Sequence, residues 1–238
     1  MDKVLIIDFG GQYIQLIARC IREQNVYCEI YPWNVSIDKI KQFSPSAIVL
    51  SGGPHSIFKE DAPKVTEEIF NLNIPILGIC YGMQYIAHHF NGVVKTAPSG
   101  EYGKQNLYIK SSPMFEGILT QNVCWMSHTD YIEVLPKNFE IAAYTDNCPV
   151  AAMQNVAQKI YGVQFHPEVN HCDCGKRVIS NFLFNISKLN ASWKMSDFIK
   201  EAVAKIKAKC GQGKVLCAFS GGVDSAVAAA LVQRAVGD

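Results

Sequence analysis

Short apolar runs alternate with segments of helical period along the first part of the chain. Evenly apolar runs at residues 4–7 and 47–50 are typical of strands buried on both faces of a sheet, and residues 26–31 and 74–77 predict two further strands. Segments with the 3.6-residue period of a helix lie between or after them: residues 14–21, 63–71 and 82–90. Because strands that alternate with helices are joined by right-handed crossovers, this order predicts a mainly parallel sheet with helices on both faces.

The middle of the chain has a different pattern, with short apolar segments separated by turn residues. These segments predict strands, some of them antiparallel, at residues 106–109, 140–144, 150–154 and 160–164. Apolar positions between Val178 and Leu189 then recur on one helical face, and this helix is expected to close the domain near Asn190. Residues 1–190 are therefore predicted to form one open α/β domain.

A second unit is predicted after this domain. Within a linker at residues 191–213, Ser196 is expected to cap a helix that has an apolar inner face along residues 198–206. Residues 214–219 are predicted to be a buried strand, and a tight glycine loop and a helix at 226–236 follow it. Since one strand, one loop and one helix cannot bury a core, residues 214–238 are predicted to be the first, incomplete unit of a second α/β domain.

Composition and charge exclude several classes of protein. Of the 238 residues, 49% are apolar and 18% are charged, a balance that disordered chains do not have. The formal net charge of +1 gives no indication of binding to nucleic acid or to an anionic membrane. No apolar run approaches the ~18 residues of a membrane span, and no secretion signal is present. With an odd count of nine cysteines, these features predict free thiols in a soluble cytoplasmic protein.

The first candidate for chemistry is a cysteine in the sharp turn Gly78-Ile79-Cys80-Tyr81-Gly82. The turn follows a predicted strand and precedes a predicted helix, which is the layout of a nucleophile elbow with cysteine as the nucleophile. Glycines on both sides of Cys80 relieve the steric strain of such a turn. A thiol at a helix N-terminus has a lowered pKa, so the pattern predicts a reactive thiolate.

A general base for that thiol is predicted in Gln164-Phe165-His166-Pro167-Glu168, which follows another strand. A nucleophilic cysteine needs a histidine to accept its proton, and the histidine needs an acceptor that orients it. His166 and Glu168 are two residues apart, so their side chains point to the same side of an extended segment. A core histidine beside a surface glutamate is the alternative explanation.

Glycines after a third strand complete the candidate site. Ser51-Gly52-Gly53-Pro54 follows the strand at residues 47–50, and such a loop can present a backbone N–H to a developing oxyanion. The N–H of Tyr81 is the second candidate donor. Taken alone, the loop is better explained as an ordinary strand-to-loop turn.

These three motifs, in this order, resemble those of the class I (triad) glutamine amidotransferases over roughly residues 3–188. The resemblance implies a flavodoxin-like open sheet, with Cys80 as nucleophile, His166 as general base and acid, and Glu168 as the orienting carboxylate. It implies an oxyanion hole at Gly53 and Tyr81. It also implies contacts to a glutamine substrate from Gly52, Gln84, Ser127, His128 and Asp130. Thr129 departs from the glycine that is usual at its position.

The second unit carries a candidate phosphate loop that consists of Ser220, Gly221, Gly222, Val223, Asp224 and Ser225. It lacks the spacing and the lysine of a Walker loop, but its backbone N–H groups and hydroxyls suit a phosphate. Asp224 suits either Mg²⁺ or the ordering of the loop, and a capped helix start is the alternative explanation of the segment. The loop resembles the pyrophosphate loop of N-type ATP pyrophosphatases. A triad amidotransferase followed by this loop resembles the GMP synthetase family.

That resemblance implies a function divided between two domains. The first domain hydrolyses L-glutamine without a cofactor, through a γ-glutamyl thioester on Cys80, and supplies ammonia. The second uses ATP and Mg²⁺ to aminate XMP to GMP in a full-length homodimer. Residues 1–238 alone are not expected to make GMP. The alternatives are an amidotransferase subunit of another pathway, a γ-glutamyl thiol hydrolase and a non-catalytic binding module.

Two weaker signals are not assigned to the site. His171-Cys172-Asp173-Cys174 resembles a metal-binding segment, but it has no second ligand pair, so a solvated loop without metal is predicted. Glu101 lies in a short segment that resembles GMP synthetases near the pocket, and no role is predicted for it.

Overall fold

The computed structural model describes residues 2–237, so Met1 and Asp238, the outer limits of the predicted domains, lie outside the described residues. The chain divides into two compact units, Met1–Ser192 and Trp193–Asp238. None of the helices in the described part of the chain is long and apolar enough to cross a bilayer.

A single mixed sheet organises the first unit. Its strands within the described residues are β1 (Lys3–Asp8), β2 (Tyr27–Pro32), β3 (Ala47–Leu50), β4 (Ile76–Ile79), β5 (Val93–Ile109), β6 (Gln121–Val134), β7 (Glu140–Tyr144), β8 (Ala152–Asn155) and β9 (Ile160–Val163). They lie in the order β2-β1-β3-β4-β9-β8-β7-β5-β6. The four neighbouring pairs β2-β1, β1-β3, β3-β4 and β4-β9 are parallel. The other pairs, which join β9, β8, β7, β5 and β6, are antiparallel. The open α/β fold with a mainly parallel half is thus confirmed.

Helices cover both faces of this sheet and define two apolar clusters. The helices of the first unit are α1 (Ile14–Arg22), α2 (Ile37–Phe43), α3 (Tyr81–His89) and α4 (Gly175–Ser180), and a π-helical segment, Asn181–Ile186, continues α4. Helix α1 buries Ile17 and Ile21 on one face, whereas α3 is buried along almost its whole length. The two clusters lie on opposite sides of the strands because neighbouring residues of β1, such as Leu5 and Ile6, belong to different clusters.

Several predicted elements differ in the first unit. The helix predicted at 63–71 is wrong, because only a 3₁₀ turn at Glu67–Leu72 forms there. Helix α2 was not predicted; it begins after Ser36, whose hydroxyl accepts the Lys39 N–H at 3.4 Å. The long hairpin of β5 and β6 was also missed, apart from the end of β5.

The second unit contains two helices, α5 (Met195–Cys210) and α6 (Val223–Val236). The predicted cap at Ser196 is wrong, because α5 begins after Lys194 without a side-chain cap, and no residue of α5 is buried. The predicted strand at 214–219 is also absent, and the Leu216 side chain is 99% exposed. A strand needs a neighbour for its backbone groups, and no strand of the described residues pairs with this segment.

Candidate active site

The sulfur of Cys80 lies at the end of β4, where the chain turns sharply into α3. Cys80 adopts φ 50° and ψ −107°, a strained conformation for a non-glycine residue. Its N–H donates to the Val163 carbonyl at 2.8 Å, which ties the turn to the adjacent strand β9. A Cβ on Gly82 would lie 2.3 Å from the carbonyl oxygen of Leu50, so only glycine fits at that position. The predicted elbow is therefore present.

His166 and Glu168 follow β9, the strand beside β4. Because β4 and β9 are parallel neighbours, both segments emerge at the same edge of the sheet. His166 Nδ1 lies 2.8 Å from Glu168 Oε1, and both side chains are buried. The His166 N–H donates to the Trp125 carbonyl at 3.0 Å, and the Tyr13 ring packs edge-on against the imidazole. Glu168 and Tyr13 therefore contact the imidazole ring, and the backbone bond to β6 fixes the segment that carries it.

The surroundings of His166 favour its charged form. Burial opposes the charge, but hydrogen bonds to Cys80 and Glu168 and the charges of these two groups outweigh it, and the pKa of His166 rises from 6.5 to about 10. Since Nδ1 of His166 contacts Glu168, Nε2 is the ring nitrogen left to exchange a proton with Cys80.

Of the two predicted oxyanion donors, Tyr81 follows Cys80 directly in the chain, and Gly53 belongs to the loop after β3. The loop after β3 brings Gly52 so close that a Cβ there would lie 3.1 Å from His166 Cε1 and 3.6 Å from Cys80 Cβ. Gly53 follows in the same loop. Tyr81 is the first residue of α3, so its N–H has no acceptor within the helix. Its side chain is buried in the core, where the hydroxyl donates to the Pro63 carbonyl at 2.8 Å.

A cavity of about 420 Å³ opens onto the thiol. Its lining includes the following predicted residues: Gly52, Gly53, Cys80, Gln84, Ser127, His128, Asp130, His166 and Glu168. Gln12, Tyr13, His55 and Lys59 also line it but were not predicted. Gln12 and Tyr13 follow β1, a parallel strand beside β3. The tendency of ligands to bind at the carboxyl ends of parallel strands was the available signal for these two.

Three of the predicted glutamine contacts are already engaged in internal hydrogen bonds. Gln84 Nε2 donates to the Asp130 carbonyl at 2.8 Å. The Asp130 carboxylate accepts hydrogen bonds from Ser56 at 2.5 Å and Thr96 at 2.6 Å. His128 Nδ1 lies 3.0 Å from the same Asp130 carbonyl. These side chains therefore stiffen the wall of the cavity as well as lining it.

Glu101, for which no role was predicted, is buried behind this wall. Its carboxylate lies 3.2 Å from His128 Nε2 and accepts a hydrogen bond from Thr145 at 2.8 Å. The ligand atoms of Glu101, His128 and Cys148 lie within 4.8 Å of one another, the one such group of three found in the described residues. Since Glu101 and His128 already bind each other, they need no metal ion to satisfy them.

The prediction of a solvated loop at residues 171–174 is wrong for its cysteines. Cys172 and Cys174 are buried, and their sulfur atoms lie 4.0 Å apart. Their shared hydrogen bond raises the pKa of Cys172 and lowers that of Cys174. His171 remains at the surface beside the Trp125 ring.

In the second unit, the candidate phosphate loop forms a closed turn. Ser225 donates to the Gly222 carbonyl at 2.8 Å, and the hydroxyls of Ser220 and Ser225 lie 3.1 Å apart. Gly221 has φ 82°, a conformation that favours glycine. Val223 begins α6, and Asp224 is exposed in its first turn. Free N–H groups at the helix start, two hydroxyls and one carboxylate therefore face solvent together.

Comparisons with known proteins agree with this geometry. Residues 5–186 match the Glutamine amidotransferase class-I family, and residues 192–238 match the NAD synthase family. The glutamine-hydrolyzing GMP synthase of Clostridium perfringens (strain 13 / Type A) is 55% identical over 237 residues, which are 99% of this chain and 47% of that protein. The chain thus spans about half the length of the curated relatives it matches.

Two solved structures share the fold. A Thermoplasma acidophilum protein, provisionally described as a GMP synthase subunit, is 34% identical with a TM-score of 0.72, and the match covers 84% of this chain and 98% of that one. A Thermotoga maritima glutamine amidotransferase is 20% identical with a TM-score of 0.58, covers 100% and 99% of the two chains, and supports the fold alone. With its family match extending over residues 5–186, this chain belongs to the class-I glutamine amidotransferases.

Proposed function

We propose that residues 1–190 hydrolyse L-glutamine and supply ammonia for the ATP-dependent amination of XMP to GMP by a longer protein. The observation that carries this proposal is that Cys80, His166 and Glu168 follow the neighbouring strands β4 and β9 and line the same cavity. The relative from Clostridium perfringens is named for glutamine-dependent GMP synthesis, which supports this pathway over another amidotransferase pathway.

The proposed chemistry begins when the Cys80 thiolate attacks the side-chain amide carbon of glutamine. The carbon–sulfur bond forms as the carbonyl π electrons move to oxygen, and the N–H groups of Gly53 and Tyr81 stabilise this oxyanion. His166 then protonates the departing nitrogen, which leaves as ammonia, and a γ-glutamyl thioester remains on Cys80. Water attacks the thioester while His166 accepts its proton, and glutamate and the free thiol are released.

For the second unit, we propose that the loop at residues 220–225 binds a phosphate group of ATP. The support is the exposed turn before α6, with free N–H groups at the helix start and the hydroxyls of Ser220 and Ser225. The carboxylate of Asp224 suits Mg²⁺, a hard cation that prefers oxygen ligands. Residues 191–213 are the proposed linker and residues 214–238 the start of an ATP pyrophosphatase domain. A homodimer and a cytoplasmic location are proposals that rest on the family resemblance.

The glutaminase proposal is tested by measuring glutamate release from L-glutamine with the wild-type chain and with Cys80→Ala. We expect release from the wild-type chain and none from the variant, because the variant lacks the sulfur that attacks the amide carbon. Cys217→Ala is the matched control, since Cys217 is an exposed cysteine of the second unit, and it should retain the wild-type rate. Equal rates for the wild type and Cys80→Ala would refute the proposal. Faster cleavage of γ-glutamyl peptides than of glutamine would favour the hydrolase alternative.

A further inference from the structure

Gln164 contacts the nucleophile but has no place in the triad. It is fully buried between the end of β9 and His166, and its backbone N–H donates to the Ala151 carbonyl at 2.8 Å. Its side-chain Nε2 lies 3.6 Å from Cys80 Sγ, within hydrogen-bond distance for sulfur. Burying a side-chain amide costs free energy unless its polar atoms form hydrogen bonds.

The orientation of the Gln164 amide follows from its neighbours. The Asp130 carbonyl can only accept a hydrogen bond, so the Gln84 atom 2.8 Å away must be the donor Nε2. The same Gln84 nitrogen lies 3.2 Å from the nearer end of the Gln164 amide, which must therefore be the acceptor Oε1. The other end of that amide is Nε2, and it faces Cys80 Sγ. The reversed amide would place two donors against each other.

The carbonyl on which this orientation depends is itself fixed. His128 Nδ1 lies 3.0 Å from the Asp130 oxygen and must donate to it. The other nitrogen of that imidazole, Nε2, lies 3.2 Å from the Glu101 carboxylate. All of these side chains are buried. A continuous series of polar contacts therefore extends from Glu101 to the sulfur of Cys80.

We propose that Gln164 is a further catalytic residue, whose side-chain N–H stabilises the Cys80 thiolate, and that Gln84 is the positioning residue that orients it. The inference rests on the proposed role of Cys80 as nucleophile. The opposing contact is the Ser127 carbonyl, 3.8 Å from Cys80 Sγ, which accepts the S–H of the thiol but repels a thiolate. The Ser127 carbonyl thus favours the neutral thiol, whereas the Gln164 N–H favours the thiolate. A donor bonds more strongly to a charged sulfur than to a neutral one.

The test is the pH dependence of Cys80 alkylation by iodoacetamide, followed by peptide mapping because the chain has nine cysteines. Gln164→Met removes the amide and keeps the length of the side chain. We expect the apparent pKa of Cys80 to rise by about one unit, which lowers the thiolate fraction below that pKa roughly tenfold, while the rate at high pH is retained. Gln164→Glu should raise the apparent pKa further, because a carboxylate then faces the sulfur.

The matched control is Gln154→Met. Gln154 is also a buried glutamine and lies within β8, but its Nε2 is near the Ser111 carbonyl and Glu140 instead of Cys80. This variant should lose comparable stability without moving the pH profile of Cys80. The proposal is overturned if the Gln164→Met profile coincides with that of the wild type, or if Gln154→Met shifts it equally.

Gln84→Met provides a second route if Gln164→Met does not fold. It removes the donor that orients Gln164, so a smaller rise in the apparent pKa of Cys80 is expected, and an unchanged profile would overturn the proposal. Alkylation needs no glutamine, so the two proposals can fail separately. A wild-type chain that releases no glutamate contradicts the glutaminase proposal, whereas an unshifted Gln164→Met profile contradicts only the role of Gln164.

Discussion

Replacing Glu168 by glutamine tests how much the triad depends on one buried charge. Glu168 Oε1 lies 2.8 Å from His166 Nδ1, whereas Oε2 is buried without a hydrogen-bond partner among the described residues. Glu168→Gln keeps the shape of the side chain but removes the charge that supports the His166 imidazolium. The new amide N–H group also occupies a position with no acceptor in that part of the chain.

The size of both effects follows from these contacts. Hydrogen bonds to charged groups contribute about 1.5–3 kcal/mol. If this energy is lost from the transition state, the rate of glutamate release falls roughly 10- to 150-fold, since about 1.36 kcal/mol corresponds to a factor of ten. The unsatisfied donor costs about 1–3 kcal/mol in free energy of unfolding.

The effect of the Glu168 charge on the stability of the chain should depend on pH. Folding raises the pKa of His166 from 6.5 to about 10, so its stabilising contribution is complete below pH 6.5 and is lost as the pH rises through about 10. Glu168→Gln lowers the folded-state pKa of His166. The difference in melting temperature between the two proteins should therefore be largest at pH 6.5 and below, and it should shrink as the pH approaches 10.

The assay combines glutamate release from L-glutamine with thermal unfolding between pH 6 and 9.5. Glu23→Gln is the control, because Glu23 pairs with Arg19 at 2.7 Å on the exposed surface of α1, and it should change neither readout appreciably. A Glu168→Gln variant that releases glutamate within twofold of the wild-type rate would refute the reasoning. So would a melting difference that stays constant over the whole pH range.

The remaining predictions concern the nucleophile turn and the other thiols. Gly82→Ala should destabilise the chain by about 3 kcal/mol or more in urea unfolding, because the added Cβ meets the Leu50 carbonyl at 2.3 Å. Gly103→Ala is the control, because no atom lies within 4 Å of the added Cβ, and the positive φ should cost only about 1 kcal/mol. Equal losses in free energy of unfolding for the two variants would contradict the steric argument. When the chain is labelled with iodoacetamide at pH 8 and mapped by peptide, exposed Cys217 should react well before Cys28. Burial raises the pKa of Cys28 to about 11. The reverse order would contradict the exposure of Cys217 and the burial of Cys28.

The parallel half of the fold could be predicted because its signals are local. Runs such as residues 4–7 and 47–50 are apolar throughout, and a strand with both faces covered requires this. The hairpin of β5 and β6 gave no such signal. Much of β5 is exposed, and β6 alternates buried with partly exposed residues, so its pattern carries many polar positions. A long hairpin of this kind is stabilised by its cross-strand partners, which are distant in sequence.

The predictions for residues 63–71 and 214–219 were wrong because the conformation of these segments also depends on partners that are distant in sequence. Residues 63–71 contain helix-forming residues, but Tyr81 and Tyr85 donate to the carbonyls of Pro63 and Val65, and these oxygens are held by α3. Residues 214–219 have the composition of a buried strand, yet no strand of the described chain lies beside them. Composition indicates what a segment tolerates, and tertiary partners decide which conformation it adopts.

For the candidate site, the sequence motifs located Cys80, His166 and Glu168 because each role depends on its place at a strand end. The contacts of Gln164 and Glu101 could not be predicted in this way. Gln164 contacts a sulfur 84 positions away, and Glu101 contacts His128 only across the hairpin. Motif spacing carries no information on which end of an amide faces a thiol.

The central claim is that Cys80 is a preformed nucleophile in a glutamine site. Its most direct test is the intact mass of the folded chain before and after treatment with 6-diazo-5-oxo-L-norleucine, a glutamine-like electrophile, with peptide mapping of the product. We predict one adduct per chain, on Cys80, that excess L-glutamine prevents. A folded chain that remains unmodified at Cys80, or that is labelled there equally fast with and without glutamine, would contradict the claim.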